Sequence, residues 1–145
     1  MTLVPAPCLF DTIRQHTPIF HRRQGKMKGG EAESRALSFL ESRGLELVER
    51  NYRCRMGEID LIMKEGDALV FVEVRERSCG DFGGAGGSIT SSKQNRILRA
   101  ARHYLSRLEC LPACRFDAVL FDETGKTDWV KSAFVEQDGR SARFR

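Results

Sequence analysis

The stretch "GEIDLIMKEGDALVFVEVR", residues 57–75, decides the fold of this chain. Two apolar runs flank "KEGD", residues 64–67, which has the composition of a tight turn, so the stretch predicts a β-hairpin. Successive side chains of a strand alternate between the two faces of a sheet. This alternation predicts which side chains share a face of the hairpin.

Charged side chains fall on one face of the predicted hairpin. They share that face with Ile62 on the first strand and Phe71 on the second. The charged residues are Glu58, Asp60, Glu73 and Arg75. Charged groups are rarely buried without a partner, so three acids and an arginine among apolar residues require an explanation.

The three acids are candidates for a metal site. Glu58 and Asp60 come opposite or diagonal to Glu73, and cross-strand neighbours lie about 5 Å apart at Cβ. Carboxylates that close repel and raise each other's pKa unless a cation lies between them. Mg²⁺ is held by one or two carboxylates, with waters and substrate phosphates as the remaining ligands. The alternative is structural, with Arg75 neutralising Glu73 in a same-strand ion pair.

The sequence on either side of the hairpin predicts two helices and three more strands. Apolar residues recur with helical spacing over residues 31–44 and 93–110. The additional strands are predicted at residues 45–54, 115–122 and 128–135. The order α-β-β-β-α-β-β indicates an α/β fold, a mixed β-sheet flanked by helices.

One domain is expected. Residues 1–29 contain three prolines and no clear period, which predicts a loose N-terminal extension. Residues 30–145 are then a single domain, long enough to bury a core.

Two polar residues interrupt the apolar stripes of the helices. Glu33 lies beside the stripe of the first helix, and Gln94 lies within that of the second. Polar residues that violate a local pattern tend to mark functional sites. If both helices pack on the same side of the sheet, Glu33 and Gln94 converge with Asp60 and Glu73 on one polar pocket.

The second helix is one-sidedly basic. Between Phe82 and Leu108 there is no acid, and the basic residues are Lys93, Arg96, Arg99, Arg102 and Arg107. Such a segment is the electrostatic footprint of a polyanion, and its N-terminal dipole is available to a phosphate. A solvated helix face is the alternative.

The composition argues against a membrane protein and against a disulfide framework. No apolar run approaches the roughly 20 residues that span a bilayer, and the N-terminus lacks the order of a secretory signal. Five cysteines at irregular spacing indicate reduced thiols. A cytoplasmic protein is expected.

The residues so far bear a resemblance to a known family. "GEIDLI", "VFVEVR", the "KQ" that starts the second helix, and "CRFDAV" carry it, within the run from Gly30 to about Trp129. That run resembles the YraN-type family of small bacterial proteins. The family is similar to archaeal Holliday-junction resolvases and to the PD-(D/E)XK restriction-endonuclease-like superfamily.

The resemblance implies roles for the polar residues. Asp60 and Glu73 become catalytic, metal-binding acids; Glu33 contacts the metal from the first helix, and Gln94 supports the site. The superfamily usually has lysine where this chain has Arg75. Arginine stays protonated and cannot act as a general base, although Arg75 can stabilise charge on a phosphate. The role of Glu58 stays open.

The predicted function is hydrolysis of phosphodiester bonds in structured or branched DNA, by a restriction-endonuclease-like fold with Mg²⁺ or Mn²⁺ as cofactor. The predicted DNA contacts are Lys93, Arg96, Arg99 and Arg102. One alternative, favoured by Arg75, is a catalytically inactive nucleic-acid-binding module. A second is a basic interaction protein whose carboxylates form structural ion pairs. No membrane partner is expected, and a homodimer is left open.

Overall fold

The computed structural model describes residues 29–77 and 89–135. Its helices are α1 (Gly29–Glu41) and α2 (Ser91–Leu105). Its strands are β1 (Glu46–Cys54), β2 (Gly57–Glu65), β3 (Ala68–Glu76), β4 (Cys114–Phe121) and β5 (Thr127–Phe134). The predicted order α-β-β-β-α-β-β is confirmed. Nearly all of the predicted extension, residues 1–28, lies outside the described residues, and the single domain stays a prediction.

The five strands form one mixed sheet in the order β1-β2-β3-β4-β5. The pairs β1–β2, β2–β3 and β4–β5 are antiparallel, and β3–β4 is parallel. Two parallel neighbours need a long crossover connection, and α2 lies within it. The basic helix is therefore the next described element after the strand that carries Glu73.

The two helices pack on opposite faces of the sheet. Ile97 and Tyr104 of α2 share a core cluster with Phe71, whereas Leu40 of α1 shares one with Val72. The reason lies in β3, whose residues 69–72 are completely buried. A strand apolar on both faces needs cover on both. Glu33 on α1 and Gln94 on α2 therefore do not converge on one side of the sheet, as the predicted pocket required.

Helix α2 begins at a capped turn and ends earlier than predicted. The side chain of Thr90 accepts a hydrogen bond from the Lys93 backbone N–H at 3.3 Å, which satisfies one amide of the first turn. The helix ends at Leu105, where the prediction extended to residue 110. The cap fixes the position of Lys93 in the first turn of α2, next to the sheet.

Strands β2 and β3 part in the middle of the sheet. They are paired from their two-residue turn as far as Leu61 and Val72. Beyond that pair, β2 continues along β1 while β3 continues along β4. Asp60 and Glu73 are the first residues of each strand after the parting. The two acids therefore border a gap in the ladder.

The side-chain alternation of β2 is interrupted at Asp60. Ile59 and Ile62 both pack in the core beneath α2, although an odd spacing should put them on opposite faces. Leu61 packs on the α1 side. On neighbouring β1, Asn51 has a φ of 52°, the left-handed conformation. The alternation therefore fails between Ile59 and Leu61, and it does not by itself place the Asp60 side chain on the face of Ile62.

Neither helix in the described ranges is long and apolar enough to cross a membrane. Within the same ranges, Cys54, Cys110 and Cys114 are free cysteines. The compartment and the oligomeric state stay predictions.

We expect Gly57→Ala to destabilise the fold. A Cβ at Gly57 would lie 2.8 Å from the backbone oxygen of Arg96, so either the strand or α2 would have to move. Overpacking of this kind lowers the free energy of unfolding by about 1–3 kcal/mol. Urea denaturation followed by circular dichroism measures it.

The matched control for this substitution is Gly30→Ala, because nothing lies within 4 Å of a Cβ added there. It should leave the free energy of unfolding unchanged or slightly raised. Equal stability of Gly57→Ala and Gly30→Ala would contradict the close approach of β2 to α2.

Candidate active site

Asp60 fills the gap between β2 and β3. Its Oδ2 accepts a hydrogen bond from the Val74 backbone N–H at 2.8 Å. In the alternation of β3, the Val74 amide faces the same way as those of Val70 and Val72, toward β2. A carboxylate oxygen thus takes the place of the backbone carbonyl that an unbroken ladder would supply. This contact fixes the Asp60 carboxyl group inside the sheet.

Glu73 is buried next to Asp60. It lies on β3 beneath α2, opposite Ala118 of β4, and is only 5% exposed. The Glu73 Oε1 atom accepts from Lys93 Nζ at 3.2 Å. Its Oε2 atom is buried and has no hydrogen-bond partner among the described residues. One oxygen of a buried acid is therefore left unsatisfied, which is unfavourable unless a cation or a proton joins it.

The pKa values of both acids reflect this crowding. Burial raises the pKa of Glu73 to about 7, and the negative charge of Asp60 adds to the effect, whereas Lys93 opposes it. Burial also raises the pKa of Asp60, against the Val74 N–H bond and the charge of Lys93, which lower it. The two carboxyl groups lie close enough for the charge of Asp60 to raise the pKa of Glu73. The pair holds more negative charge than its surroundings neutralise.

A polar groove opens beside the pair. Its volume is about 530 Å³. The walls are the end of β3 and the first turns of α2, and they include Glu73, Arg75, Thr90, Ser92, Lys93 and Arg96. Arg75 is half-buried on the wall formed by β3. The groove thus combines the buried acid Glu73 with cations from both elements.

Lys93 differs from the other predicted DNA contacts. Its ammonium group turns inward to Glu73, and the side chain is 31% exposed. Arg96, Arg99 and Arg102 are exposed along α2. Sequence reasoning placed Lys93 on the DNA-binding face but did not foresee its ion pair with Glu73. No spacing rule could have found it, because the contact depends on how α2 packs.

Glu33 reaches the site from the other face of the sheet. Burial raises the pKa of Glu33, and repulsion by Asp60 contributes, while a hydrogen bond with Asn51 and the charge of Arg50 lower it. The Arg50 Nη2 atom lies 3.9 Å from Glu33 Oε2. Glu33 on α1 therefore still feels the charge of Asp60. Metal contact by Glu33 stays a prediction.

Gln94 and Glu58 have partners of their own. The side-chain amide of Gln94 donates to the Ile89 backbone oxygen at 2.9 Å, which ties the loop before α2 to its first turn. Glu58 is exposed and lies 3.4 Å from the Nε atom of Arg53 on β1. The supporting role of Gln94 stays a prediction.

The donor set suits a divalent cation that takes few ligands from the protein. Among the described residues, no group of three or more His, Cys, Asp or Glu side chains could hold a metal ion. Asp60 and Glu73 are two carboxylates, and one buried oxygen lacks a partner. Mg²⁺ and Mn²⁺ accept one or two carboxylates and fill the remaining positions with waters and phosphates. The pair therefore fits such an ion.

Sequence reasoning assigned no role to Asp117, the other buried acid of the sheet. It is completely buried on β4. It accepts hydrogen bonds from Arg115 Nε, Trp129 Nε1 and the Ser132 backbone N–H, all between 3.0 and 3.1 Å. Both of its oxygens are satisfied, so it stabilises the irregular β4–β5 pairing. The signal was an acid inside an apolar strand, the same signal that marked Asp60 and Glu73.

Comparison with known proteins places most of this chain in a family. Residues 32–121 match the model of the uncharacterised protein family UPF0102. A UPF0102 protein of Nitrosospira multiformis is 56% identical over 111 residues, covering 75% of this chain and 93% of that protein. A UPF0102 protein of Cupriavidus necator is 53% identical over 118 residues, covering 81% and 88%. One of Psychromonas ingrahamii is 53% identical over 110 residues, covering 75% and 90%.

We expect Glu73→Gln to stabilise the protein at pH 8 but not at pH 4. In the wild type, the pKa of Glu73 is raised from 4.5 to about 7, so the folded state binds this proton more tightly than the unfolded state. Stability therefore falls as pH rises from about 4.5 to 7. Glutamine does not ionise, so the variant keeps the free energy of unfolding that the wild type loses, which is on the order of 1–3 kcal/mol. Urea denaturation in a metal chelator at both pH values measures it.

The control for this prediction is Glu76→Gln, which removes an exposed acid from the end of the same strand. It should change stability little at either pH. A Glu73→Gln variant that is less stable than the wild type at pH 8 would contradict the unsatisfied acid pair.

Proposed function

This chain belongs to the uncharacterised protein family UPF0102, the YraN-type family that its sequence resembles, and we propose that it is a metal-dependent nuclease. The proposed reaction is hydrolysis of phosphodiester bonds in structured or branched DNA. The observation that carries the proposal is the pair of carboxylates Asp60 and Glu73, in which Glu73 is buried with one oxygen unsatisfied at the wall of a groove lined by cations. Perturbed carboxylates in a cleft are typical of catalytic sites.

A divalent cation would resolve the electrostatic problem of the pair. Burying two carboxylates together is unfavourable, and a single ammonium neutralises only one charge. Asp60 and Glu73 would hold the ion directly, and Glu33 on α1 would reach it only through a water molecule. Mg²⁺ or Mn²⁺ bound there would polarise the scissile phosphate and lower the pKa of a water molecule.

The cations of the groove would act on the substrate. Arg75 and Lys93 come from different elements and flank Glu73. Phosphodiester hydrolysis develops extra negative charge on the phosphate, which fixed positive groups stabilise in the transition state. Arg75 remains protonated and therefore supplies charge rather than a base. Lys93 holds the Glu73 carboxylate in place as well.

A DNA substrate is supported by the helix that borders the groove. The N-terminus of α2 meets the acid pair, and Arg96, Arg99 and Arg102 continue along its exposed surface. A row of guanidinium groups neutralises successive phosphates and gives affinity without sequence specificity. The preference for branched DNA rests on the resemblance to junction resolvases.

A nucleic-acid-binding module without catalysis is the second candidate. The observation in its favour is the Lys93 ammonium, which already stands 3.2 Å from Glu73 as a counter-ion. The lack of a third metal-ligand side chain within the described residues points the same way. In this form α2 and its arginines would still bind DNA.

Cleavage assays separate the two candidates. With Mg²⁺ or Mn²⁺, we expect the wild type to cut at least one of single-stranded, duplex or four-way-junction DNA. Asp60→Asn and Glu73→Gln should each lower the rate of cleavage by about 100-fold or more, because each replaces a charged metal ligand with a neutral side chain of the same shape. Arg75→Lys should retain or increase the rate, since lysine keeps the charge.

Glu41→Gln, which changes an exposed acid of α1 outside the groove, is the control and should cleave as the wild type does. If neither the wild type nor Arg75→Lys cuts any of the three DNA forms, while both bind them, the enzyme proposal fails and the binding module stands.

A further inference from the structure

A second groove lies on the other side of the α2 N-terminus. Its volume is about 370 Å³. One wall is the turn between β1 and β2, which includes Cys54, Arg55, Met56 and Gly57, and the other is α2 at Lys93 and Arg96. We call these four residues the β1–β2 turn. None of them was assigned a function from the sequence.

The two grooves are neighbours that share one wall. Lys93 and Arg96 line both of them, so the first turns of α2 form a common ridge. The groove with the acid pair lies on one side of the ridge, and the β1–β2 turn lies on the other. A chain of phosphates that enters at Glu73 and crosses Arg96 therefore reaches the turn.

The second groove carries cations that are ready for an anion. Arg53 is paired with Glu58, and Lys93 is paired with Glu73. Within residues 29–77 and 89–135, no acid forms an ion pair with the exposed guanidinium groups of Arg55 and Arg96. Guanidinium groups are well matched to phosphate oxygens.

The turn is held rigidly against α2. A Cβ on Gly57 would come within 2.8 Å of the Arg96 backbone oxygen, so the two backbones are already in close contact. Cys54 and Gly57 are cross-strand partners that close the turn. Because the backbone that carries Arg55 is already in place, only its side chain has to be ordered when it binds a phosphate.

An exposed apolar side chain stands among these cations. Met56 is 53% exposed at the tip of the turn, directly after Arg55. Proteins that distort nucleic acids place apolar residues, including methionine, against or between bases. A free phosphate would leave such a side chain in water, whereas a nucleic acid strand offers sugar and base surface to it.

We propose that the β1–β2 turn is a second DNA-contact site, in which Arg55 binds a backbone phosphate and Met56 packs on the adjoining sugar or base. The proposal rests on the proposed function, because it extends the DNA path from the acid pair across Arg96. The β1–β2 turn adds a DNA contact at a distance from the phosphate that reacts beside Glu73. The turn then holds the strand on the side of α2 opposite the acid pair.

The test is the salt dependence of DNA binding by the full-length protein, measured by fluorescence anisotropy with a labelled four-way junction in a metal chelator. Arg55→Ala should weaken binding by roughly 3- to 10-fold and reduce the slope of log K against log salt by about 0.7–0.9, the loss of one phosphate contact. Arg96→Ala should do the same. Met56→Ala should weaken binding with an unchanged slope, because its contact is uncharged.

Arg43→Ala is the matched control, because Arg43 is an exposed arginine beyond α1 that packs on the Phe39 ring. If the salt slope of Arg55→Ala equals that of the control Arg43→Ala while Arg96→Ala has a smaller slope, the DNA follows α2 alone and the second site is refuted. Wild-type affinity of Met56→Ala would refute the base or sugar contact. If the wild type does not bind DNA, the proposed function fails together with this inference.

Discussion

The hydrogen bond from the Val74 amide to the Asp60 carboxylate is the interaction on which the site depends. It lies where β2 and β3 part, and it satisfies a backbone group that would otherwise be buried without a partner. A backbone carbonyl would do this at no electrostatic penalty. A carboxylate in that place brings a negative charge into the sheet beside Glu73. The Asp60 carboxylate therefore satisfies the Val74 amide and at the same time repels Glu73.

Comparison with Asp117 explains why a buried acid is not by itself a functional site. Asp117 lies one strand away and is as well buried as Glu73, but three donor groups surround its two oxygens. Glu73 receives one ammonium on one oxygen and nothing on the other within the described residues. Polar networks that are complete stabilise a fold, whereas an incomplete one has room for a further charged group.

Local patterns in the sequence predicted the order of the elements, the hairpin at residues 57–75 and the acids that border it. They did not predict the packing of the helices on opposite faces, although the apolar run at residues 69–72 contained that information. The broken alternation between Ile59 and Leu61 was hidden because nothing in the local pattern of β2 marks it, and neither does the left-handed conformation of Asn51 on the neighbouring strand. The ion pair of Lys93 with Glu73 was out of reach, since it joins elements that only tertiary packing brings together.

The connectivity of the sheet has a consequence for how the protein folds. Asp60 and Glu73 lie on consecutive antiparallel strands, whereas Lys93 comes from the crossover to the parallel strand β4. Contacts between near neighbours in sequence form before those that need a long loop closed. We expect the two acids to meet before their counter-ion arrives, so their repulsion would slow the chain on its way to the native state. Refolding of the wild type would then be faster at pH 5 than at pH 8, and equal rates would contradict this order of events.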